Sequence, residues 1–191
     1  DMDKAQLAAM EKAPLGYAAK IRAKIETLLE SHYRENFERW LETERIVCKP
    51  YFHLRPSIHP ATYTDIYARS LYAAEDGDMN KLEQKLIVEL TALPNVRWWH
   101  RNIARQDFAI NGFIKHYPDI LIMTKSGKLI CAETKGEHLK NDDSREKIAL
   151  GQAWRTAAGK DYRYYMVFEN EENLLPGAVS MSQFIDTVKA L

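Results

Sequence analysis

Apolar residues recur at three- and four-residue steps from Tyr17 to about Arg45: Ile21, Ile25, Leu28, Leu29, Tyr33, Phe37, Trp40 and Leu41. Lys20, Lys24, Glu30, Arg34, Glu38 and Glu42 take other faces. That period predicts an amphipathic helix or helix pair, with Pro14 ending any earlier one. Pro50, Pro56 and Pro60 then interrupt the pattern. Thr62 or Thr64 is placed to cap a short helix running to about Glu75, and Asp76-Gly77-Asp78 breaks it. Asp78 or Asn80 opens the next helix, over about 80–92, with Leu82, Leu86, Ile87 and Leu90 on its apolar side.

From Pro94 the period shortens. Val96 to Ile103 reads as a strand with Trp98 and Trp99 on opposite faces. Asn111-Gly112, between Asp107–Ile110 and Phe113–Tyr117, predicts a two-residue hairpin turn. Ile120–Met123 and Leu129–Ala132 are apolar on both faces, as in strands covered on both sides. Beyond them, Asn141–Ser144 caps a helix to about Ala158 that Gly159 closes. Arg163–Glu169 is a further strand, and Ser180 or Ser182 caps a final helix. The order helix, strands, helix, strand, helix is that of an α/β fold with a mixed sheet.

The chemistry lies in the hairpin over residues 117–135. With Lys125-Ser126-Gly127 as a three-residue loop and Gly127 left-handed, Thr124 faces Lys128 and Asp119 falls opposite Glu133. Cross-strand β-carbons lie about 5 Å apart, so the two carboxylates crowd. Lys135 shares Glu133's face, one pleat on. Two crowded carboxylates repel, and a divalent cation is the simplest means of keeping both ionised. The triplet alone is equally the pattern of a structural ion pair at a strand end.

Pro118-Asp119 with Glu133-Thr134-Lys135 resembles the PD-(D/E)xK nuclease motif. With Asn95-Val96-Arg97-Trp98-Trp99-His100-Arg101-Asn102 before it and Gly136-Glu137 after it, the text resembles the C-terminal nuclease domain of type III restriction enzyme Res subunits and related DEAD/DEAH helicase-nucleases. The similarity runs from about Ile66 to Phe168. It implies a restriction-endonuclease-like α/β/α sandwich with a mixed central sheet over 62–191, preceded by an N-terminal helical segment, 1–61. It implies a Mg²⁺-dependent DNA endonuclease, Mn²⁺ substituting, with Asp119, Glu133 and the Thr134 carbonyl on the metal and Lys135 at the attacking water. The family's helix carboxylate matches Glu83, with Glu89 next in line; for either, a surface carboxylate is the plain alternative. Lys147 or Gln152 matches a residue that some relatives aim at the site from the following helix. Arg97, Arg101 and Arg105 are basic candidates for DNA contact or simply solvated positions, and Arg155 is a further DNA-binding candidate on the following helix. The competing reading is a nuclease fold without catalysis that binds DNA or docks onto a partner.

Composition narrows the rest. Of 27 Lys/Arg and 27 Asp/Glu, residues 97–165 hold 13 and 8, so a basic excess coincides with the motif and suits a phosphate backbone. None of the histidines has metal-ligand spacing with a cysteine or another histidine, which argues against zinc. Cys48 and Cys131 form no disulfide framework, which with the absence of a membrane-length apolar run points to a cytoplasmic protein. No Gly-x-x-x-x-Gly-Lys-Ser/Thr occurs, so the expected ATPase/translocase, like a modification or recognition subunit, is a partner outside this sequence. The apolar stripe of the N-terminal helix needs a cover, either the nuclease domain or an upstream domain outside this sequence, and a linker between motor and nuclease is the preferred reading.

Overall fold

A computed structural model describes Lys4, Ala8 and residues 12–191. The chain divides into two compact units, Asp1–Val47 and Cys48–Leu191. The expectation for residues 1–11 lies largely outside the described residues.

The first unit holds helix α1 (Pro14–Glu42). Pro14 begins this helix, since a residue at the first helical position needs no N–H donor, and the break at Ala13 separates it from helical Lys12. Ile21, Ile25, Leu28, Leu29, Tyr33 and Trp40 along it are exposed. No helix among the described residues is long and apolar enough to cross a membrane.

The second unit is mixed α/β. Its five-stranded sheet runs β3 (Val96–Arg101), β6 (Ile120–Thr124), β7 (Leu129–Lys135), β8 (Tyr162–Phe168), β9 (Val179–Ser180). β3, β6 and β7 are antiparallel in turn, while β7, β8 and β9 run parallel. Two-residue pairs complete the strands: β1 (Tyr63–Thr64) with β2 (Glu75–Asp76), and β4 (Ile110–Asn111) with β5 (Lys115–His116). Helices α2 (Lys81–Ala92) and α4 (Met181–Lys189) each start in a capping box, from Asn80 and Ser180. They bury Leu86, Ile87, Leu90, Phe184 and Val188 against Trp99, Ile120, Ile122, Ile130, Ala132 and Val167. Helix α3 (Asp142–Ala158), capped by Asn141, crosses between the parallel strands β7 and β8 on the opposite face. There Gly151 lies flat on the Tyr164 ring.

Three expectations change. The segment 65–75 is not helical: Glu75 takes the Leu71, Tyr72 and Arg101 amides on its carboxylate, and Ser70 bridges to Trp99, so the stretch is held to β3. The Asn111-Gly112 turn is a longer loop, with Asn111 paired to Lys115 and Ile110 to His116. That register buries Ile110 and His116 together, which a two-residue turn would not. Residues 48–61, grouped above with the helical segment, lie in the second unit, where Arg55 binds Asp107 and Gln106 and accepts the Tyr72 hydroxyl on its carbonyl.

A buried polar group ties these loops to the sheet. His100, on β3, places Nδ1 2.7 Å from Glu75 Oε2 and Nε2 3.3 Å from Asp107 Oδ2. All three side chains are fully buried. Burial disfavours the charged imidazole, but its hydrogen bonds to both carboxylates outweigh this and raise the His100 pKa. Burial likewise works against ionised Asp107, and its bonds to His100 and Arg55 prevail and lower its pKa.

Candidate active site

The site sits at the end of the β6–β7 hairpin farthest from its loop. Thr124 N–H donates to the Lys128 carbonyl at 2.9 Å and Gly127 has φ 84°, so the three-residue loop forms as expected. Ile120 pairs with Ala132 and Met123 with Leu129, which is the expected register, and its next step sets Asp119 opposite Glu133.

Glu133 is 3% exposed although charged groups belong in water. Its Oε1 lies 2.8 Å from Lys135 Nζ, as the alternation of the strand requires, and 3.9 Å from Lys147 Nζ of α3. Its Oε2 is buried with no hydrogen-bond partner, 3.9 Å from His116 Nε2. Burial, then the Asp119 charge, pushes the Glu133 carboxyl up to about 8. Burial opposes the Lys135 charge, but Glu133 beside it dominates and raises its pKa.

Asp119 leans toward the next residue of β7. Its Oδ2 accepts the Thr134 N–H at 2.8 Å and the Thr134 hydroxyl at 3.0 Å. Its Oδ1 lies 3.6 Å from Arg101 Nη1, and Arg101 Nη2 lies 2.9 Å from Glu83 Oε1. Glu83 thus does two things: Oε2 closes the capping box on the Asn80 amide, and Oε1 joins the site through Arg101. Burial raises the Glu83 pKa, Arg101 opposes this and Asp119 adds to it. Glu89 lies elsewhere, in a surface cleft with Lys85 and Glu169.

Of the basic candidates, Arg101 is committed inward: it also donates to the Asp119 carbonyl at 2.8 Å. Lys147 enters the site, anchored 2.8 Å from Asp143 one turn before it. Gln152 and Arg155 do not; Gln152 accepts from Arg155, whose guanidinium lies over the Tyr165 ring. Arg105 is exposed at a left-handed backbone position, φ 67°.

Sequence reasoning passed over three residues. His116 is buried, with Nε2 2.9 Å from the Tyr164 hydroxyl. Burial, then Lys147 and Lys135, lowers its pKa to about 3, so it is neutral. Asn102 donates to the Pro118 and Phe108 carbonyls and its amide donates to the Asp119 carbonyl, which fixes the Pro-Asp step. None of His116, Asn102 and Tyr164 shows spacing that marks it, because each meets the site only through tertiary contact.

Two predictions follow from this packing. A Cβ at Gly151 would fall 2.2 Å from the Tyr164 ring. Gly151→Ala should therefore destabilise the protein by about 1–3 kcal/mol, read as a lower Tm, and shift Tyr164 off His116. The second concerns pH in metal-free buffer. Glu133 binds its proton more tightly folded than at its ordinary 4.5, so its contribution falls as pH rises from about 4.5 to about 8. His116 binds its proton less tightly folded than at its ordinary 6.5, so its contribution grows from about pH 3 to 6.5. The two oppose each other between 4.5 and 6.5. Above 6.5 Glu133 acts in the same direction as His100, whose pKa is raised. Stability should be flat near pH 5–6 and then fall by about 1.4 kcal/mol per unit for each proton involved. Melting curves across pH check this; in Glu133→Gln the alkaline fall should shrink to the His100 share.

Two carboxylates on facing strands, one with an unpartnered buried oxygen, fit a hard divalent cation that keeps several waters. Among the described residues, no group of three or more His, Cys, Asp or Glu side chains could hold a metal by itself. The chain matches no family model, no curated protein and no solved structure.

Proposed function

We propose that the second unit is a Mg²⁺-dependent DNA endonuclease domain of the PD-(D/E)xK type, with the restriction-endonuclease-like architecture, serving a helicase-like translocase and a recognition subunit. The observation that carries it is Glu133: buried, one oxygen on Lys135, the other unpartnered, on the strand position facing Asp119. An ion pair with only a structural role would satisfy both oxygens.

Asp119 and Glu133 would hold Mg²⁺, with the Thr134 carbonyl as the resemblance implies. The metal supplies charge neutralisation at the scissile phosphate. Thr134 holds Asp119 by two hydrogen bonds and keeps one oxygen free of them. Lys135, held as an ammonium, donates to and orients the attacking water and offsets phosphate charge. Lys147 adds a second positive charge from α3. Neutral His116 and Tyr164 wall the carboxylate off from water.

One observation favours a non-catalytic binding domain instead. The Arg101 guanidinium lies between Glu83 and Asp119 and already supplies a counter-charge there. Nicking of supercoiled plasmid in Mg²⁺, with EDTA as control, decides between them. The nuclease reading expects slow nicking that falls as salt rises, since a chain of zero net charge holds duplex DNA loosely. Absence of nicking in both Mg²⁺ and Mn²⁺ sinks it.

A further inference from the structure

The second unit holds a cleft of about 300 Å³ lined by Lys49, Tyr51, Phe52, Arg105, Lys115 and Tyr117 among others. Three cations and, with Phe108, four aromatic rings share one concavity. Tyr51 is 68% and Phe52 46% exposed, which is unusual for large apolar side chains placed together. The cleft also contains Asp107, but that carboxylate is buried and spent on Arg55, His100 and the Ile103 amide. The charge presented to solvent is positive. Lys115 stacks its ammonium 5.3 Å from the Tyr117 ring. Neither Lys49 nor Arg105 has an ion-pair partner among the described residues.

The cleft and the candidate site are joined in sequence by residues 115–117, whose side chains alternate between them. Lys115 and Tyr117 flank His116, which lies 3.9 Å from Glu133, and Tyr117 precedes Pro118-Asp119 directly. Beyond Tyr51, Phe52 and Phe108 a second cleft of about 370 Å³ continues with Trp98, Leu121, Met123 and Tyr162. Basic groups that track a backbone, interleaved with rings on which bases stack, are the chemistry of single-stranded nucleic acid binding. Bases inside a duplex already stack on one another and cannot use such rings. The volume is at the small end for ligand pockets and suits a nucleotide rather than a helix.

We propose that this aromatic and basic cleft binds an unpaired DNA strand, so that the preferred ligand is a single strand or a frayed junction rather than an intact duplex. The cleavage of that strand rests on the nuclease reading; its binding does not. Fluorescence anisotropy of a labelled short oligothymidylate with the full chain, in EDTA, is the test. The oligothymidylate should bind more tightly than a blunt duplex of equal length. Tyr51→Ala and Phe52→Ala should each raise Kd about fivefold or more. Both side chains are exposed, so melting temperature should hold. Arg105→Ala should weaken binding and flatten the slope of log Kd against log salt by about 0.7. Arg105→Gly should weaken it equally without a lower melting temperature, because glycine accepts the left-handed backbone there. Tighter duplex binding, or affinity indifferent to all of these substitutions, overturns the inference even if plasmid is nicked. Substitution-sensitive oligothymidylate binding without Mg²⁺-dependent cleavage supports the cleft and removes the nuclease reading. Equal loss for an oligouridylate marks RNA as an alternative occupant and overturns the choice of DNA only if RNA binds more tightly.

Discussion

Replacing Asp119 is expected to cut Mg²⁺-dependent plasmid nicking by about 10³-fold, the scale of losing a group that stabilises transition-state charge. Two replacements separate charge from scaffolding. Asp119→Ala removes the acceptor of the Thr134 N–H, and Thr134 is buried, so an unsatisfied donor costs about 1–3 kcal/mol. The same change relieves the repulsion that helps raise the Glu133 pKa. Asp119→Asn keeps an acceptor for Thr134 while removing the charge. Both variants should therefore lose nicking, and the asparagine variant should keep the wild-type melting temperature. In both, the alkaline fall in stability should end at lower pH, since the Asp119 charge no longer holds the Glu133 proton on. Wild-type nicking by Asp119→Asn protein would remove Asp119 from the chemistry.

The largest loss of stability is expected at His100. His100→Leu leaves Glu75 and Asp107 buried without their shared cation. Breaking a buried charge network by removing one partner costs about 3–5 kcal/mol, or roughly 10 °C in Tm for a chain of this size. Arg55 still bonds Asp107 and three backbone amides still reach Glu75, so the loss should not exceed that range. The effect depends on pH. Because the folded His100 pKa is raised, its stabilisation is fully present below about 6.5 and fades as pH rises through the folded value. The difference between wild type and variant should shrink in alkaline buffer. Arg101, the next residue, reaches Asp119 and Glu83, so nicking should also fall in the variant even at temperatures where it stays folded.

Much of the sheet and of the carboxylate pair was legible because local signals agreed. The Lys125-Ser126-Gly127 loop, two apolar runs and strict alternation fix a register, and the register places Asp119, Glu133 and Lys135. Caps at Asn80, Asn141 and Ser180 mark helix starts for the same reason: side chain and backbone meet within three residues. Where the deciding contact is distant, the reading failed. Nothing local shows that Glu75 will collect amides from β3, so a helix was expected where a strand pair lies. Asn111-Gly112 is a strong turn signal, yet burial of His116 against Tyr164 selects another register. Arg101 looked like a DNA contact because arginines usually face solvent. Its inward path depends on Glu83, on a different helix.

The hairpin loop also has leverage over a place it never touches. From the Thr124–Lys128 pair to the Asp119–Glu133 pair is five steps of strand, roughly 17 Å at 3.4 Å per residue. One residue added to or taken from that loop would rotate β7 by half its period against β6. Cys131 would swap to the opposite covered face, and Glu133 and Lys135 would exchange faces with Ala132 and Thr134. The sheet could still form, hydrogen bond for hydrogen bond, with every reactive group on the wrong side. An exposed loop of ordinary composition therefore serves as the index mark of the molecule, and changing its length would undo the site as surely as removing a carboxylate.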